Sequence, residues 1–288
     1  MVPGSSTPDR RRRHLTRRHR RGGRKGTPAG QSVSVNRLIG VVHLGPLPGS
    51  PGFDGDFPAC LATASSDARL LAAAGFDALV VENFGDAPFY ADQVPAVTVA
   101  AMTRAVTEIA EAAPLPIGVN VLRNDARSAL SIAAATGAAF IRVNVLSGTM
   151  TTDQGVITGR AAEVLRLRRE LGLSTAVYAD VMVKHAVAPP GMTIELATAD
   201  TVKRGLADAI IVSGEATGAE PDLDLVRRAA AAAAGRPVLI GSGTTEANVA
   251  SLLEVADGVI VGTALKVDGV TTNQVDPARA ESFVKAAR

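Results

Sequence analysis

Four residues of this 288-residue chain could move a proton or attack a carbonyl, and each stands at or just beyond the end of a short apolar run. His43 closes LIGVVH, Glu82 closes ALVVE, Asp180 lies in AVYADV, and Lys184 follows shortly after. His43, Glu82 and Asp180 are candidate general acids and bases. A carboxyl among apolar neighbours has its pKa raised towards neutrality, while one beside Arg or Lys stays ionised. Such a pair suits proton transfer at a sugar carbon or cleavage of a bond at C1, each step contributing roughly 10²- to 10⁴-fold. Lys184 as a Schiff-base nucleophile would need a desolvated amine, whereas its loop position predicts a solvated one. Asn83, Asn120, Arg123, Asn124, Arg142, Asn144 and His185 share these segments and are candidate substrate-binding residues. Arg123, Arg142 and Lys184 could hold a second anionic group or stabilise developing negative charge. For any single residue, a hydrogen-bonded interior polar group is an equal reading; polar residues on five consecutive runs together point to a site. His43, Glu82, Asp180 and His185 are the one set that could hold a hard divalent ion. No short-range ligand motif supports it, so no metal ligand or cofactor is assigned and a divalent metal stays an alternative.

Three further run ends are rich in glycine: Ser213-Gly214-Glu215-Ala216-Thr217-Gly218, Gly241-Ser242-Gly243-Thr244-Thr245 and Gly262-Thr263-Ala264-Leu265-Lys266. Glycines let backbone N–H groups approach an anion, and a helix N-terminus beside them adds positive potential. Ser213, Gly214, Gly241, Ser242, Gly243, Gly262 and Thr263 are therefore the candidate phosphate-binding residues. One Gly-Ser-Gly alone could be a tight turn; its pairing with the later Gly-Thr makes the signal more specific. The chain has only five lysines, and Lys184 and Lys266 both lie just past run ends.

The elements that must position these groups alternate regularly. Eight β-branched runs begin at residues 39, 78, 117, 140, 176, 209, 238 and 258, with amphipathic segments between them. Asn124, Thr158 and Thr245 are predicted N-caps, and Gly137, Gly172 and Gly235 predicted stops. The pattern predicts an α/β fold, a (β/α)8 TIM barrel of the phosphate-binding type. No G-x-G-x-x-G turn follows the first run, which disfavours a dinucleotide-binding sheet. Strand-to-helix connections are long after the first, second, fourth and fifth runs (residues 45–64, 83–94, 146–157 and 182–193), whereas helix-to-strand returns are terse. Barrels carry their active sites on the face built by the strand-to-helix loops. Within a strand, the period of two puts Arg142 and Asn144 on one face, and Tyr178 and Asp180 on one face.

Composition sets the outer bounds. Hydrophobic residues make up 47% of the chain, enough for one sizeable core, and no apolar run is long enough to span a bilayer. The single cysteine, Cys60, fits a reducing compartment, and a cytoplasmic location is expected. The net charge of +2 hides an asymmetry. Residues 1–36 hold ten of the thirty basic groups and one of the twenty-eight acids, hence +9; residues 37–288 keep twenty against twenty-seven, hence −7. Residues 1–36 are predicted to be a disordered basic extension, and residues 37–288 the barrel domain. The extension is either a weak contact arm for nucleic acid or another anionic surface, or a dispensable segment read from an upstream start codon. A small phosphorylated ligand is the expected partner, and a homo-oligomer is compatible with the sequence.

The stretches LIGVVHLGPLPGSP, VVENFGDAPF, PIGVNVLRNDA, FIRVNVLSG, TDQGVITG, ADVMVKH, PVLIGSGTT and DGVIVGTALKVDG closely resemble the BtpA/SgcQ family, in order and from about residue 37 to the end. The resemblance implies a barrel of the ribulose-phosphate-binding type. It also implies two functions to separate: an enzyme on a small phosphorylated sugar or nucleotide-like compound, or a non-catalytic assembly or stability factor like the photosystem I biogenesis factor that names the family. The basic extension departs from the family pattern.

Overall fold

A computed structural model describes Met1 and residues 37–214 and 222–288; the expected basic extension lies, apart from Met1, outside the described residues. Each of the eight apolar runs forms a parallel strand of one closed barrel. In chain order these are β1 (Leu38–His43), β2 (Ala78–Glu82), β3 (Ile117–Asn120), β4 (Phe140–Val143), β7 (Ala176–Val181), β9 (Ala209–Val212), β10 (Val238–Ile240) and β11 (Gly258–Val261). The helices are α1 (Phe57–Ala74), α2 (Ala96–Ala112), α3 (Ala126–Thr136), α4 (Ala161–Glu170), α5 (Ile194–Lys203), α6 (Leu223–Ala232), α7 (Val249–Leu252) and α8 (Pro277–Ala287). The register joins His43 to Glu82 and Glu82 to Asn120, so the ends of β1, β2 and β3 lie level at the mouth.

Alternation across each strand divides the core in two. Ile39, Val41, Ala78, Val80, Phe140, Tyr178, Ile211, Leu239 and Ile260 fill the barrel axis. The intervening positions, such as Val42, Leu79, Val81 and Ile141, pack against the helices. Phe140 and Tyr178 stack at 4.6 Å inside the axis. Gly118 makes this fit, since a Cβ there would lie 2.1 Å from the Phe140 ring. At the opposite end, an aspartate before a strand accepts an amide from the first or second residue of its neighbour: Asp77 from Leu38 (2.8 Å), Asp208 from Val177 (2.9 Å) and Asp257 from Val238 (2.8 Å). These three pins hold the closed end of the barrel, where structural rather than catalytic residues belong.

Several local expectations are corrected. Asp125, not Asn124, caps α3 by accepting from the Ser128 amide. Thr158 ends a strand, and α4 begins at Ala161. The long loop expected after the fourth run contains an antiparallel hairpin, β5 (Thr149–Thr152) and β6 (Gly155–Thr158). It is joined by β8 (Ala186–Val187) into a three-stranded sheet. Its signal was present: β-branched residues on both sides of Asp153-Gln154, followed by Gly155 at φ 97°. The helix expected from Thr245 is reduced to the single turn α7, because Asn248 organises the segment before it. Its Oδ1 accepts the Thr245 amide (2.7 Å) and its Nδ2 donates to the Gly243 carbonyl (3.0 Å).

Candidate active site

The same inward alternation that fills the barrel axis turns polar at the strand ends. Position 43 of β1, 82 of β2, 120 of β3, 142 of β4 and 180 of β7 continue their strands' inward series, and the loop positions 144 and 213 follow from it. Positions 241 and 262 complete the ring as glycines. A Cβ on Gly241 would lie 2.4 Å from Ile211 and 3.2 Å from the Arg142 guanidinium; one on Gly262 would lie 2.6 Å from the His43 ring. Both glycines therefore make room for functional side chains. Of the candidate glycines in these loops, Gly243 has the left-handed backbone, at φ 77°.

Arg142 is the hub. Its Nε and a terminal nitrogen donate to the two oxygens of Asp180 (2.9 and 3.0 Å), and another nitrogen lies 4.0 Å from Glu82. Asn144 donates to Asp180 (3.2 Å), Ser213 donates to it (3.4 Å), and Asn120 donates to Asn144 (3.3 Å). With its side chain fully enclosed, Asp180 is engaged by protein donors on both oxygens. It orients Arg142 rather than waiting as a free base. Ser213, expected to bind phosphate, belongs to this inner network.

Glu82 is the carboxyl that faces open space. Burial pushes it above the ordinary carboxylate range, against the opposing pull of Arg142 and Lys184. His43 lies 3.9 Å away, with its ring tilted against Phe84 at 4.8 Å. Burial, reinforced by Lys266, Lys184 and Arg142, drives the His43 pKa down to about 3, so its imidazole is neutral at physiological pH. Its Nδ1 is buried with no partner among the described residues. Lys184, expected to be solvated, is half-buried, and burial followed by Arg142 pushes its ammonium pKa down. No hydrogen bond or ion pair of its amine is found among the described residues. Met182 and His185 beside it hold left-handed backbones at φ 49° and 57°, each a cost of about 1 kcal/mol.

Two cavities open from this centre and share Glu82, Arg142 and Lys184. The first, about 160 Å³, is lined by residues 241–245 and 262–264 together with His43. Ser242 and Thr244 are among its lining residues, and their hydroxyls are buried without partners among the described residues. Thr263, at the start of a one-turn 3-10 helix, shares a hydrogen bond with the Thr271 hydroxyl (2.9 Å). Gly214 is buried beside residues 215–221, so Glu215-Ala216-Thr217-Gly218 lie outside the described residues. The second cavity, about 430 Å³, is walled by Arg123, Asn144, Phe84, Phe89 and Leu122 and bordered by Asp153 and Gln154 at the hairpin tip and by His185.

Other candidates serve as supports. Asn83 accepts the Leu122 amide (2.7 Å) and donates to Asp86 (3.0 Å), which accepts the Leu47 amide (2.8 Å), tying together the first three strand-end loops. Asn124 pairs with both backbone groups of Val145 (2.8 and 3.0 Å). Lys266 turns into the wall and donates to Asp67 of α1 (2.6 Å), whose other oxygen accepts the Val275 amide (2.8 Å). The four groups weighed as metal ligands do not converge: Asp180 is taken by Arg142 and His185 stands exposed. Among the described residues no group of three or more His, Cys, Asp or Glu is arranged for an ion.

Comparison with known proteins agrees with this architecture. Residues 34–288 match the BtpA family. The photosystem I biogenesis protein BtpA of Synechocystis is 50% identical over 253 residues, covering 87% of this chain and 88% of that protein. The sgc region protein SgcQ of Escherichia coli is 32% identical over 251 residues, covering 86% and 92%. Among solved structures, N-(5'-phosphoribosyl)anthranilate isomerase from Pyrococcus furiosus superposes with a TM-score of 0.52 at 16% identity, covering 87% of this chain and 98% of that one. At that identity the likeness concerns the fold. Among the described residues no helix is long and apolar enough to cross a membrane.

Proposed function

This chain belongs to the BtpA family, and from that premise we propose that its barrel is an enzyme. Its substrate is a small phosphorylated sugar or nucleotide-like compound, and its chemistry is acid/base: isomerisation, elimination or hydrolysis. The observation that carries the reading is the glycine-lined cavity of residues 241–245 and 262–264 beside Arg142 and Lys184, whose lining residues Ser242 and Thr244 keep buried hydroxyls without partners among the described residues. A buried hydroxyl without a partner costs about 1–3 kcal/mol, a cost repaid when a phosphate oxygen accepts from it. Glu82 is the proton carrier, since its pKa is raised and it faces the cavity. Neutral His43 serves as a hydrogen-bonding partner to the reacting oxygen rather than as a cationic acid. Arg142 and Lys184 stabilise the negative charge that develops when the proton leaves carbon. A cytoplasmic location is part of the same proposal.

The test uses Thr244→Val, which keeps the shape and deletes the hydroxyl. The variant should be more stable without ligand, by about 1 kcal/mol, and should bind phosphate esters roughly tenfold more weakly. Equal affinity in both proteins would sink the phosphate reading. The assembly-factor reading rests on the name of the Synechocystis relative. It predicts that cells carrying Glu82→Gln grow and assemble normally, whereas the enzyme reading predicts loss of function with a folded protein.

A further inference from the structure

Arg123 is 8% exposed and forms no ion pair among the described residues, and its side chain makes one hydrogen bond there, from a terminal nitrogen to the Lys184 carbonyl (2.8 Å). Its Nε is buried with no partner among the described residues. An arginine so enclosed carries a full charge, and burying a charge without a counterion is costly enough that such groups are paired in the functional state. The charges around it sharpen the point. Arg142 is matched by Asp180, and Lys266 is matched by Asp67. Arg123 and Lys184 are left over in the mouth, against Glu82 and the exposed-side Asp153. The two cations without an ion pair among the described residues are distributed unequally: Lys184 borders both cavities, while Arg123 borders only the larger one.

From this juxtaposition we infer that the larger cavity is a second anion site, and that the substrate carries two anionic groups. One is the phosphate held by residues 241–245 and 262–264; the other is a carboxylate or second phosphate held by Arg123 beneath the β5–β6 hairpin. The inference rests on the phosphate reading above. The reacting carbon then lies between the two groups, over Glu82, Arg142 and Lys184, which line both cavities. Arg123 suits this role because its planar guanidinium can donate two parallel hydrogen bonds to an oxyanion. Its bond to the Lys184 carbonyl also couples the two cations. A ligand that draws on Arg123 settles the Met182–His185 turn that carries Lys184.

Two matched ligand pairs test the inference by calorimetry on the full chain. Glycerol 3-phosphate against 3-phosphoglycerate adds a carboxylate; fructose 6-phosphate against fructose 1,6-bisphosphate adds a phosphate. At least one doubly anionic member should bind tenfold or more tightly than its partner, and the pair that responds identifies the second group. In Arg123→Gln that advantage should vanish while the singly charged member binds as before. In Arg123→Lys part of it should return. Because Arg123→Gln also removes the bond to the Lys184 carbonyl, an unchanged affinity for inorganic phosphate serves as the control that the first cavity is intact. Equal binding within both pairs, or an advantage that survives Arg123→Gln, overturns the second site and leaves the phosphate reading standing. If inorganic phosphate and all four esters fail to bind the unaltered protein, both readings fall together.

Discussion

At the scale of single residues, burial has divided three acid/base candidates into three different jobs. Asp180 is paired with Arg142, His43 is kept neutral, and Glu82 has its pKa raised by burial, which suits it to the proton transfer proposed above. Removing Asp180 should therefore act through Arg142: Asp180→Ala leaves a buried guanidinium uncompensated and should destabilise by about 3–5 kcal/mol in denaturant titration. Glu82→Gln should lower turnover by roughly 10²–10⁴-fold while leaving ester binding near wild type. Its stability signature follows from linkage. The folded pKa of Glu82 lies above its ordinary value of 4.5. Its favourable contribution is thus complete below pH 4.5 and lost as pH rises through the folded value. Glu82→Gln should accordingly melt higher than wild type at pH 8, with the gain shrinking towards pH 4.5. His43 runs the other way. With a folded pKa near 3 against an ordinary 6.5, it supports the fold above pH 6.5 and costs stability as the pH falls from 6.5 towards 3. His43→Asn should flatten that acid limb; an unchanged limb would show that other groups cause it.

At the scale of elements, the site depends on supports far along the chain. Lys266 follows β11, Asp67 sits in α1, and their buried pair with the Val275 amide fastens the last strand-end loop to the first helix. Asp67→Ala should cost about 3–5 kcal/mol, and pairing it with Lys266→Met should recover much of the loss, since an apolar pair replaces an ionic one at little cost. A purely additive double mutant would contradict this coupling. Elements were legible where a period governed them. The eight strands are legible because β-branched runs recur, and alternation marks the inward positions His43, Glu82, Asn120, Arg142 and Asp180 that the barrel brings together at its mouth. The β5–β6 hairpin was missed inside a stretch read as loop, although Asp153-Gln154-Gly155 marked its turn. Asn248 was missed because its task, holding Thr245 and Gly243, belongs to no repeating pattern.

At the scale of the whole molecule, the chain carries +9 on residues 1–36 and −7 on residues 37–288, from one acid against ten bases and twenty-seven acids against twenty bases. On the proposed phosphate reading, a barrel of negative overall charge captures its anion by local geometry, through glycine amides, hydroxyls and a few placed cations, without help from its long-range field. Ester binding should accordingly weaken only mildly as salt rises. Any binding of nucleic acid should behave oppositely, falling steeply with salt and disappearing from a chain lacking residues 1–34. Retention of nucleic-acid binding by the shortened chain would move that contact onto the barrel.

Periodicity and residue type are local properties, so the sequence by itself determined the barrel, its working end, the polar ring at the strand ends and the glycine loops of the last strands. Partnership is not local. That Asp180 is spent on Arg142, and that among the described residues Ser242 and Thr244 have hydroxyls without partners and Arg123 has no ion pair, depend on which of several equally suitable groups come close to one another. The closure of the barrel brings together residues up to some 200 positions apart, such as Asp67 and Lys266. Only in that enclosed space does desolvation become strong enough to keep His43 neutral and to raise the pKa of Glu82, because it acts on what surrounds a group in three dimensions and not on what precedes it in the chain.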